Sequence, residues 1–263
     1  MGNAKFKLRV DQLLVNRGLA DSLKQAQALL MAGEVLINDV PVAKAGVTIN
    51  PDSAVVRLRT QSGRYVSRAG DKLAFAHARL RFDVAGKVAL DVGISTGGFT
   101  DFLIQNGART VFGVDVGYGQ VAMSLQQNSN VVILERLNAR LLTPDSFREA
   151  VAKKSGDKLS DSEHISLVVM DLSFISVLSV LPAIQALIAS PAELVVMIKP
   201  QFEATKSEIG EGGIVRDLET REAIVTRVVT GILDLGFTLL DRADSELAGT
   251  KGNLEHFVWL KLG

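Results

Sequence analysis

The sequence predicts an α/β fold in which a mostly parallel sheet carries helices on both faces, preceded by a small α+β domain. Three observations support this prediction. From Asp71 onward, apolar strands alternate with segments of helical spacing, a pattern typical of parallel sheets. A glycine-rich turn follows the first of these strands. Residues 1–60 instead contain short helices and strands separated by turn residues, so we divide the chain into a front domain (1–60), a linker (61–66) and a main domain (67–263).

The front domain is predicted to contain two short helices followed by short strands, between Leu8 and Leu58. Ser22 and Gln25 have the spacing of a capping box at the start of the second helix. The runs Glu34–Ile37 and Ala54–Leu58 are apolar and bounded by turn residues, which favours strands.

The main domain is predicted to contain seven strands separated by helical segments. The strands are Val88–Val92, Thr110–Val116, Val131–Leu134, Ser166–Asp171, Glu193–Ile198, Thr238–Arg242 and His256–Lys261. The helical segments include Phe99–Gln105, Val177–Ala189 and Glu219–Leu235. Open sheets of this kind bind ligands beyond the carboxyl ends of their parallel strands, where we look for functional residues.

Composition excludes several classes of function. The chain has no cysteine, which rules out disulfides, thiolate metal sites and cysteine nucleophiles. This absence fits a reducing, cytoplasmic setting, where we expect the protein to lie. No apolar run is long enough to cross a bilayer and the N-terminus lacks a signal-peptide core, so we expect no contact with membranes. The three histidines, His77, His164 and His256, lack metal-ligand spacing, and we expect no catalytic metal.

Charge is distributed unevenly along a chain whose formal net charge is zero. Residues 1–72 carry a balance of +5 and the remaining residues carry −5. A basic front end on an acidic body indicates that contact with a nucleic acid is concentrated at the front. Chance unevenness is the alternative interpretation.

The glycine-rich turn and a later carboxylate favour a nucleoside cofactor. An apolar strand ends in Asp91-Val92-Gly93 and is followed by a turn that opens a helix. Glycines let the main chain approach a ligand, and a helix N-terminus favours a negative group. The dinucleotide pattern G-x-G-x-x-G is not met, because Ser95 occupies the second glycine position. Asp115 ends the second strand, where a carboxylate can accept hydrogen bonds from ribose hydroxyls; a plain strand-to-helix turn and a solvated strand end are the alternatives.

Four charged residues lie where a reaction on a hydroxyl group could use them. Lys72 precedes the first strand of the sheet, Asp171 and Lys199 end two strands, and Glu255 stands at the head of the last strand. A lysine oriented by carboxylates can take the proton of a ribose 2′-hydroxyl and stabilise the alkoxide during methyl transfer. Taken singly, each of the four could be an ordinary surface charge.

Three motifs resemble the TlyA family, bacterial proteins often labelled hemolysin A. They are Asp91-Val92-Gly93-Ile94-Ser95-Thr96-Gly97-Gly98-Phe99-Thr100-Asp101, Asp171-Leu172-Ser173-Phe174-Ile175-Ser176 and Ile198-Lys199-Pro200-Gln201-Phe202-Glu203. The resemblance extends from about Leu8 to Leu262. It implies an S-four-type RNA-binding domain followed by an FtsJ-like domain with a Rossmann-like class I methyltransferase sheet. It further implies S-adenosylmethionine-dependent 2′-O-methylation of a cytidine in ribosomal RNA, within a ribosomal subunit and with no obligate protein partner evident.

The resemblance also implies roles for individual residues. Lys72, Asp171, Lys199 and Glu255 would form a catalytic tetrad, with Lys199 nearest the reacting hydroxyl. The residues expected to bind the cofactor are Asp91, Gly93, Ser95, Thr96, Gly97, Gly98, Asp115 on the ribose, and Asn138 near the adenine.

The front domain matches the family's RNA-binding pattern with two departures. Leu23 stands where an arginine is usual, with Lys24 following it, and Asp39 replaces a usual glycine. Basic side chains remain as candidates for phosphate contacts. They are Arg9, Arg17 and Lys24.

Two further expectations concern the substrate. Glu203–Arg216 is rich in glycine and charge beside Lys199, so it is predicted either to be a mobile loop that closes over RNA or to be an ordinary surface loop. The chain ends directly after the last predicted strand, whereas some family members have a C-terminal extension associated with broader ribosomal RNA targeting. We therefore expect large-subunit RNA to be the substrate.

Other interpretations remain open at this point. C5 methylation of pyrimidines typically needs a cysteine, which this chain lacks. Amino-group methylation typically uses Asn/Asp-Pro-Pro-aromatic, where this chain has Asp-Leu-Ser-Phe. Both differences favour an oxygen atom as the methyl acceptor. A nicotinamide oxidoreductase is disfavoured by Ser95 in the glycine loop. The alternatives that keep the domain organisation are a non-catalytic RNA-binding or ribosome-assembly protein and a membrane-active hemolysin.

Overall fold

The computed structural model describes residues 7–20, 22–31, 35–38, 40–42, 44–51, 54–58, 64–155, 164–210, 212–247, 249 and 252–263. The chain forms two compact units, Met1–Ser67 and Arg68–Gly263. The predicted helix end at Gly33, the first strand residue Glu34, Asp39 and the linker residues 61–63 lie outside the described residues.

The front unit packs two helices against short antiparallel strands. Its elements are β1 (Leu8–Arg9), α1 (Val10–Asn16), α2 (Leu23–Met31), β2 (Val35–Ile37), β3 (Val40–Pro41), β4 (Thr48–Ile49) and β5 (Val56–Leu58). β1 pairs with β4, and β2 lies between β3 and β5. The predicted cap of α2 is confirmed, because Ser22 Oγ accepts a hydrogen bond of 3.2 Å from the main-chain N–H of Gln25. The prediction that helices open this unit is wrong, since β1 precedes α1.

The main unit is built on a seven-stranded sheet. Its helices are α3 (Arg68–Leu80), α4 (Gly98–Gln105), α5 (Met123–Gln126), α6 (Pro144–Ser155), α7 (Leu181–Leu187), α8 (Pro200–Glu203) and α9 (Leu218–Asp234). Its strands are β6 (Val88–Val92), β7 (Thr110–Asp115), β8 (Val131–Glu135), β9 (Leu167–Met170), β10 (Ala192–Ile198), β11 (Thr238–Asp244) and β12 (His256–Leu262). Single 3-10 turns cover Ala139–Leu141 and Val177–Ser179.

The strand order confirms the predicted α/β fold. The order is β11-β12-β10-β9-β6-β7-β8, with β10, β9, β6, β7 and β8 parallel and β12 antiparallel to both of its neighbours. All five residues of β6 are buried, as expected for a strand covered on both faces. Leu90 and Val258 belong to the core formed with α6, α7 and α9, whereas Phe257 contacts Phe99 of α4. Helices therefore cover both faces of the sheet.

The chain reverses its direction of travel across the sheet between β6 and β9. From β6 it adds β7 and β8 on one side, and from β9 it adds β10 on the other. The main-chain N–H of Asp171 donates to the carbonyl of Val92 at 3.1 Å, which joins the carboxyl ends of these two strands. Ligands of open α/β sheets bind at such a switch point.

The predicted helix Val177–Ala189 is interrupted. The structure has a 3-10 turn over Val177–Ser179 and then α7, with a proline in the first turn of α7. Pro182 has no N–H to donate within a helix but fits a helix start. The helical spacing of Val177–Ala189 is real, but the prediction of a single helix is wrong because Pro182 starts a new helix after the 3-10 turn.

Candidate active site

The loop between β6 and α4 requires glycine at two positions. Gly93 has a φ of +91°, and a Cβ on it would lie 2.5 Å from the carbonyl oxygen of Asp171. Gly97 has a φ of +96°, and a Cβ there would overlap the side chain of Leu125. These left-handed conformations cost little only for glycine. The loop can therefore lie close to the end of β9 and to α5, and buried Gly98 opens α4 directly behind it.

Asp115 fixes the tip of this loop from the end of β7. Its Oδ2 accepts a hydrogen bond of 2.8 Å from the N–H of Ser95, and its Oδ1 accepts one of 2.7 Å from the N–H of Gly117. Ser95 and Thr96 are exposed at the tip. Each carboxylate oxygen can accept a second hydrogen bond, so Asp115 could hold the loop and a ribose hydroxyl together.

Asp91 lies beneath the loop and is fully buried. Its Oδ2 accepts a 2.7 Å hydrogen bond from Thr100 Oγ1, and among the described residues its Oδ1 has no hydrogen-bond partner. Burial raises the pKa of Asp91 to about 7, although the hydrogen bond from Thr100 acts in the opposite direction. A buried carboxyl oxygen without a partner beside a glycine cradle is consistent with a ligand donor, but the position of Asp91 within β6 equally suits a role in shaping the loop.

Lys199 and Asp171 meet at the ends of neighbouring strands. β9 and β10 are parallel, and the two residues follow their last residues directly. Lys199 Nζ lies 2.6 Å from Asp171 Oδ1 and donates a 3.0 Å hydrogen bond to Ser173 Oγ. The ammonium is therefore held from two sides at the switch point.

Lys72 and Glu255 form a second ion pair from distant parts of the chain. Lys72 is on α3, Glu255 precedes β12, and Lys72 Nζ lies 2.5 Å from Glu255 Oε2. Glu255 is only 2% exposed. The first residue of β12 pairs with Ile198, the residue before Lys199. The structure thus brings all four predicted charged residues to one edge of the sheet, as two ion pairs.

An aromatic pair beside Lys199 was not assigned a role from the sequence. Phe174 is 90% exposed and has a φ of +66°, and its ring centroid lies 5.0 Å from that of Phe202. Lys199 Nζ lies 5.9 Å from the Phe202 ring. A large apolar side chain in a left-handed conformation is unusual, and its exposure beside a lysine suits stacking against a planar ligand. In the sequence, the sign of this pair is that each of the two strand-end residues, Asp171 and Lys199, is followed three residues later by a phenylalanine.

Asn138 lies after β8 at the start of a 3-10 turn. Its Oδ1 accepts a 3.1 Å hydrogen bond from the N–H of Arg140, so the side chain caps this turn. The residue is exposed. Contact with an adenine remains a prediction for Asn138.

The three basic candidates of the front unit differ in their surroundings. Arg9 donates hydrogen bonds of 3.0 and 2.6 Å to buried Asp11, and this lowers the pKa of Asp11 to about 2. Arg17 donates to the carbonyls of Ala54 and Pro51 at 2.8 and 2.6 Å. Lys24 is exposed on α2. Arg9 and Arg17 thus have structural partners, and RNA contact stays a prediction for all three.

The segment Glu203–Arg216 is attached to the rest of the main unit at several points. Glu203 accepts a 2.8 Å hydrogen bond from the N–H of Val177, and burial raises its pKa. Glu208 forms an ion pair with Arg227 at 2.9 Å. The N–H of Val215 donates to Asn253 Oδ1 at 3.1 Å. Closure over RNA remains a prediction for this segment.

Comparison with known proteins matches both units. A model described as FtsJ-like methyltransferase matches residues 65–262, and one described as S4 domain matches residues 8–55. The chain is 41% identical to the 16S/23S rRNA (cytidine-2'-O)-methyltransferase TlyA of Mycobacterium tuberculosis, over 97% of this chain and 90% of that protein. It is 36% identical to Hemolysin A of Brachyspira hyodysenteriae, over 95% of this chain and 100% of that protein. A solved structure from Streptococcus thermophilus, described as a hemolysin, has a TM-score of 0.72 and 35% identity over 98% of this chain and 90% of that one.

Proposed function

The chain belongs to the TlyA family, which joins an S4 domain to an FtsJ-like methyltransferase domain, and from this premise we propose that it methylates a ribose 2′-hydroxyl of ribosomal RNA. The proposed methyl donor is S-adenosylmethionine and the proposed acceptor is a cytidine, with large-subunit RNA as the first substrate to test. The observation that carries the proposal is the meeting of Lys72, Asp171, Lys199 and Glu255 beside the switch point of a methyltransferase sheet.

The glycine loop fits S-adenosylmethionine. Gly93 and Gly97 bring the main chain close to the switch point, and Asp115 has acceptor capacity for ribose hydroxyls. The buried Asp91 Oδ1, unpaired among the described residues, provides a further acceptor beneath the loop. When bound, the cofactor supplies an electrophilic methyl group on a positively charged sulfur.

Lys199 is the residue that we place against the acceptor hydroxyl. To act as the base, Lys199 would first release a proton to solvent and so present Nζ as a neutral amine. Nζ would then accept the 2′-hydroxyl proton as the oxygen attacks the methyl group, and the ammonium that forms would stabilise the negative charge that develops on the oxygen. Asp171 at 2.6 Å and Ser173 at 3.0 Å restrict the position of Nζ, which favours one orientation of the hydroxyl. No covalent enzyme intermediate is needed.

Lys72 and Glu255 would contribute a second, largely buried ion pair next to the reacting atoms. A positive charge in a site from which water is excluded stabilises an alkoxide more strongly than it would in water. Glu255 balances Lys72 and sets its position. We therefore assign electrostatic support to Lys72 and orientation to Glu255.

Phe174 would provide a stacking surface for the base of the target nucleotide. Single-stranded bases that are turned out of a helix commonly stack on aromatic rings. The exposed ring of Phe174 lies in the same loop as Ser173, which contacts Lys199. Stacking there would place a ribose near Lys199 Nζ.

The front unit is proposed to bind ribosomal RNA through phosphate contacts. The net positive charge of residues 1–72 and exposed Lys24 support this role.

A hemolytic role is the second candidate function. Across the described stretches of the chain, no helix is both long and apolar enough to span a bilayer. The name of the Brachyspira relative favours testing it, and liposome leakage by the purified protein would support that function instead.

One experiment tests the proposed function. Purified small and large ribosomal subunits are incubated with S-adenosylmethionine labelled in its methyl group, and RNA labelling is compared for wild type and Lys199→Ala. We expect wild type to label RNA of the large subunit and the variant to lose nearly all labelling. Absence of labelling by wild type, or equal labelling by the variant, would contradict the proposal.

A further inference from the structure

Glu255 stands in an irregular turn that leads into β12, where its carbonyl accepts a 2.9 Å hydrogen bond from the N–H of Ser245. Residues 253–255 belong to no strand or helix, and β12 begins only at His256. Yet the Glu255 side chain is buried and must meet Lys72 at 2.5 Å. A buried ion pair stabilises a site only where its geometry is well determined, so other groups must determine it here.

Asn253 ties this turn to the segment that follows α8. The residue is 3% exposed. Its Oδ1 accepts a hydrogen bond of 3.1 Å from the N–H of Val215, and its Nδ2 donates one of 3.3 Å to the carbonyl of Gly213. Its own carbonyl accepts a hydrogen bond of 2.8 Å from the N–H of Gly249. The side-chain amide of Asn253 thus pairs with main-chain groups of residues 213–215 as a peptide group of a neighbouring strand would, while its main-chain carbonyl pairs with Gly249.

Gly249 leaves room for the Glu255 carboxylate. A Cβ at Gly249 would overlap Glu255 Oε1 and would lie 2.7 Å from its Cδ. The carboxylate cannot easily yield, because its other oxygen is bound to Lys72 on α3. A side chain at position 249 would therefore push Glu255 away from Lys72.

We propose that Asn253 and Gly249 form a clasp that positions Glu255 against Lys72 and couples this ion pair to residues 213–215. Asn253 acts as a positioning residue, since it reaches the ion pair only through Glu255. Residues 213–215 follow α8, the helix that begins directly after Lys199, so the clasp ties the turn that carries Glu255 to the segment after α8. The kinetic consequence of the clasp rests on the proposed function, but the clasp itself does not.

The first test is a double-mutant cycle on the unfolding equilibrium, which needs no enzymatic activity. The variants are Asn253→Ala, Glu255→Gln and their combination. If Asn253 holds Glu255, Glu255→Gln should destabilise the protein less when Asn253 is already alanine. We therefore expect the unfolding constant of the double variant to rise by a factor at least fivefold smaller than the product of the two single factors. Independent effects, within twofold of that product, would overturn the clasp.

The second test follows the exchange of the Val215 amide hydrogen with solvent. We expect Asn253→Ala to accelerate this exchange at least tenfold and Gly249→Ala to accelerate it at least threefold. The matched controls are Asn106→Ala, which removes a side-chain hydrogen bond to Phe102 at the end of α4, and Gly46→Ala, where an added Cβ meets nothing within 4 Å. Equal protection of Val215 in wild type and Asn253→Ala would contradict the clasp.

The third test separates the clasp from the reaction. At saturating RNA and cofactor, Asn253→Ala and Gly249→Ala should each lower the rate of methyl transfer at least tenfold, with the KM for RNA within threefold of wild type. Asn253→Asp, which keeps the acceptor for Val215, should retain an intermediate rate. If wild type methylates no RNA, the proposed function fails while the cycle and the exchange data still decide the clasp. If wild type is active but both variants transfer methyl at the wild-type rate, positioning by the clasp is refuted and the function stands.

Discussion

The two ion pairs of the candidate active site reach the same edge of the sheet by different means. Asp171 and Lys199 follow adjacent parallel strands, so the hydrogen-bonding register of β9 and β10 brings them together. Lys72 and Glu255 are 183 residues apart, on α3 and in an irregular turn. The first pair is positioned by the sheet itself, whereas the second depends on buried side-chain and glycine contacts around the turn.

The two ion pairs therefore differ in how easily a single substitution can displace them. A pair positioned by a sheet can change only if the sheet changes, because its register is determined by many hydrogen bonds and apolar contacts. A pair positioned by a few polar contacts can be lost through a single substitution outside the pair. We therefore expect substitution of Lys199 to act mainly on the rate of the reaction. Substitutions around Glu255 should act mainly by displacing the Glu255 side chain.

The largest expected effect separates the two lysines in catalysis. Lys199→Ala should lower the single-turnover rate of methyl transfer by about 10³-fold, because it removes the group placed against the hydroxyl. Lys72→Ala should lower it by roughly 10-fold to 10²-fold, as expected for electrostatic support alone. Lys153→Ala, at an exposed lysine in the last turn of α6, is the control and should react at the wild-type rate. Equal losses for Lys72 and Lys199 would remove the distinction between the pairs.

The next largest effect is a difference in the free energy of unfolding between variants of the two carboxylates, Glu255 and Asp171. Glu255→Ala leaves Lys72, whose side chain is 12% exposed, without its buried partner, and should lower the free energy of unfolding by about 3 kcal/mol. Asp171→Ala should cost less, about 1 kcal/mol, because Lys199, although only 11% exposed, keeps its hydrogen bond to Ser173, and the Asp171 side chain is 18% exposed where that of Glu255 is 3% exposed. Urea denaturation of both variants measures this. A larger loss for Asp171→Ala would reverse the comparison.

Asp91 extends the comparison to a carboxyl group on a regular strand, which forms no ion pair with any of the residues that the structure describes. Because burial raises its pKa to about 7, the folded state holds the proton more tightly than the unfolded state. Its contribution to stability is complete below about pH 4 and is lost as the pH rises through about 7. Between about pH 5 and about pH 8, wild type should therefore lose roughly 2 kcal/mol more than Asp91→Asn. Denaturant unfolding without ligand checks this, and parallel pH profiles for the two proteins would contradict the assignment.

The smallest effects apply the same distinction to the front unit. Arg17→Ala removes hydrogen bonds to two carbonyls and should lower the stability of this unit by about 1 kcal/mol. Lys24→Ala should leave stability unchanged but reduce the salt dependence of RNA binding by about one phosphate contact. Denaturation and binding titrations at several salt concentrations measure the two outcomes. A stability loss for Lys24→Ala, or an unaltered salt dependence, would count against its assigned role.

The parallel strands of the main sheet could be predicted from the sequence because they are largely apolar runs. The predicted Val88–Val92 coincides with β6, and the other predicted strands differ from the observed ones by at most two residues at either end. Short elements were harder: β1 has two residues and no periodicity to detect. The break before α7 was missed because helical spacing on both sides of Pro182 masked its effect.

The site was predictable only in part. Asp171 and Lys199 stand out because each directly follows an apolar strand, and Gly93 and Gly97 because a turn of this kind needs glycine. The pairing of Lys72 with Glu255 gives no local signal, since it depends on the placement of α3. Asn253 resembles an ordinary turn residue in sequence, and only the structure shows that it is buried.

The most direct test of the central claim identifies the methylated atom. Large-subunit RNA modified by wild type with labelled cofactor is digested to nucleosides, and the labelled nucleoside is identified by mass spectrometry. We expect label on the ribose of a cytidine, as 2′-O-methylcytidine, and none after reaction with Lys199→Ala. Label on a base, or an equal amount of 2′-O-methylcytidine from the variant, would contradict it.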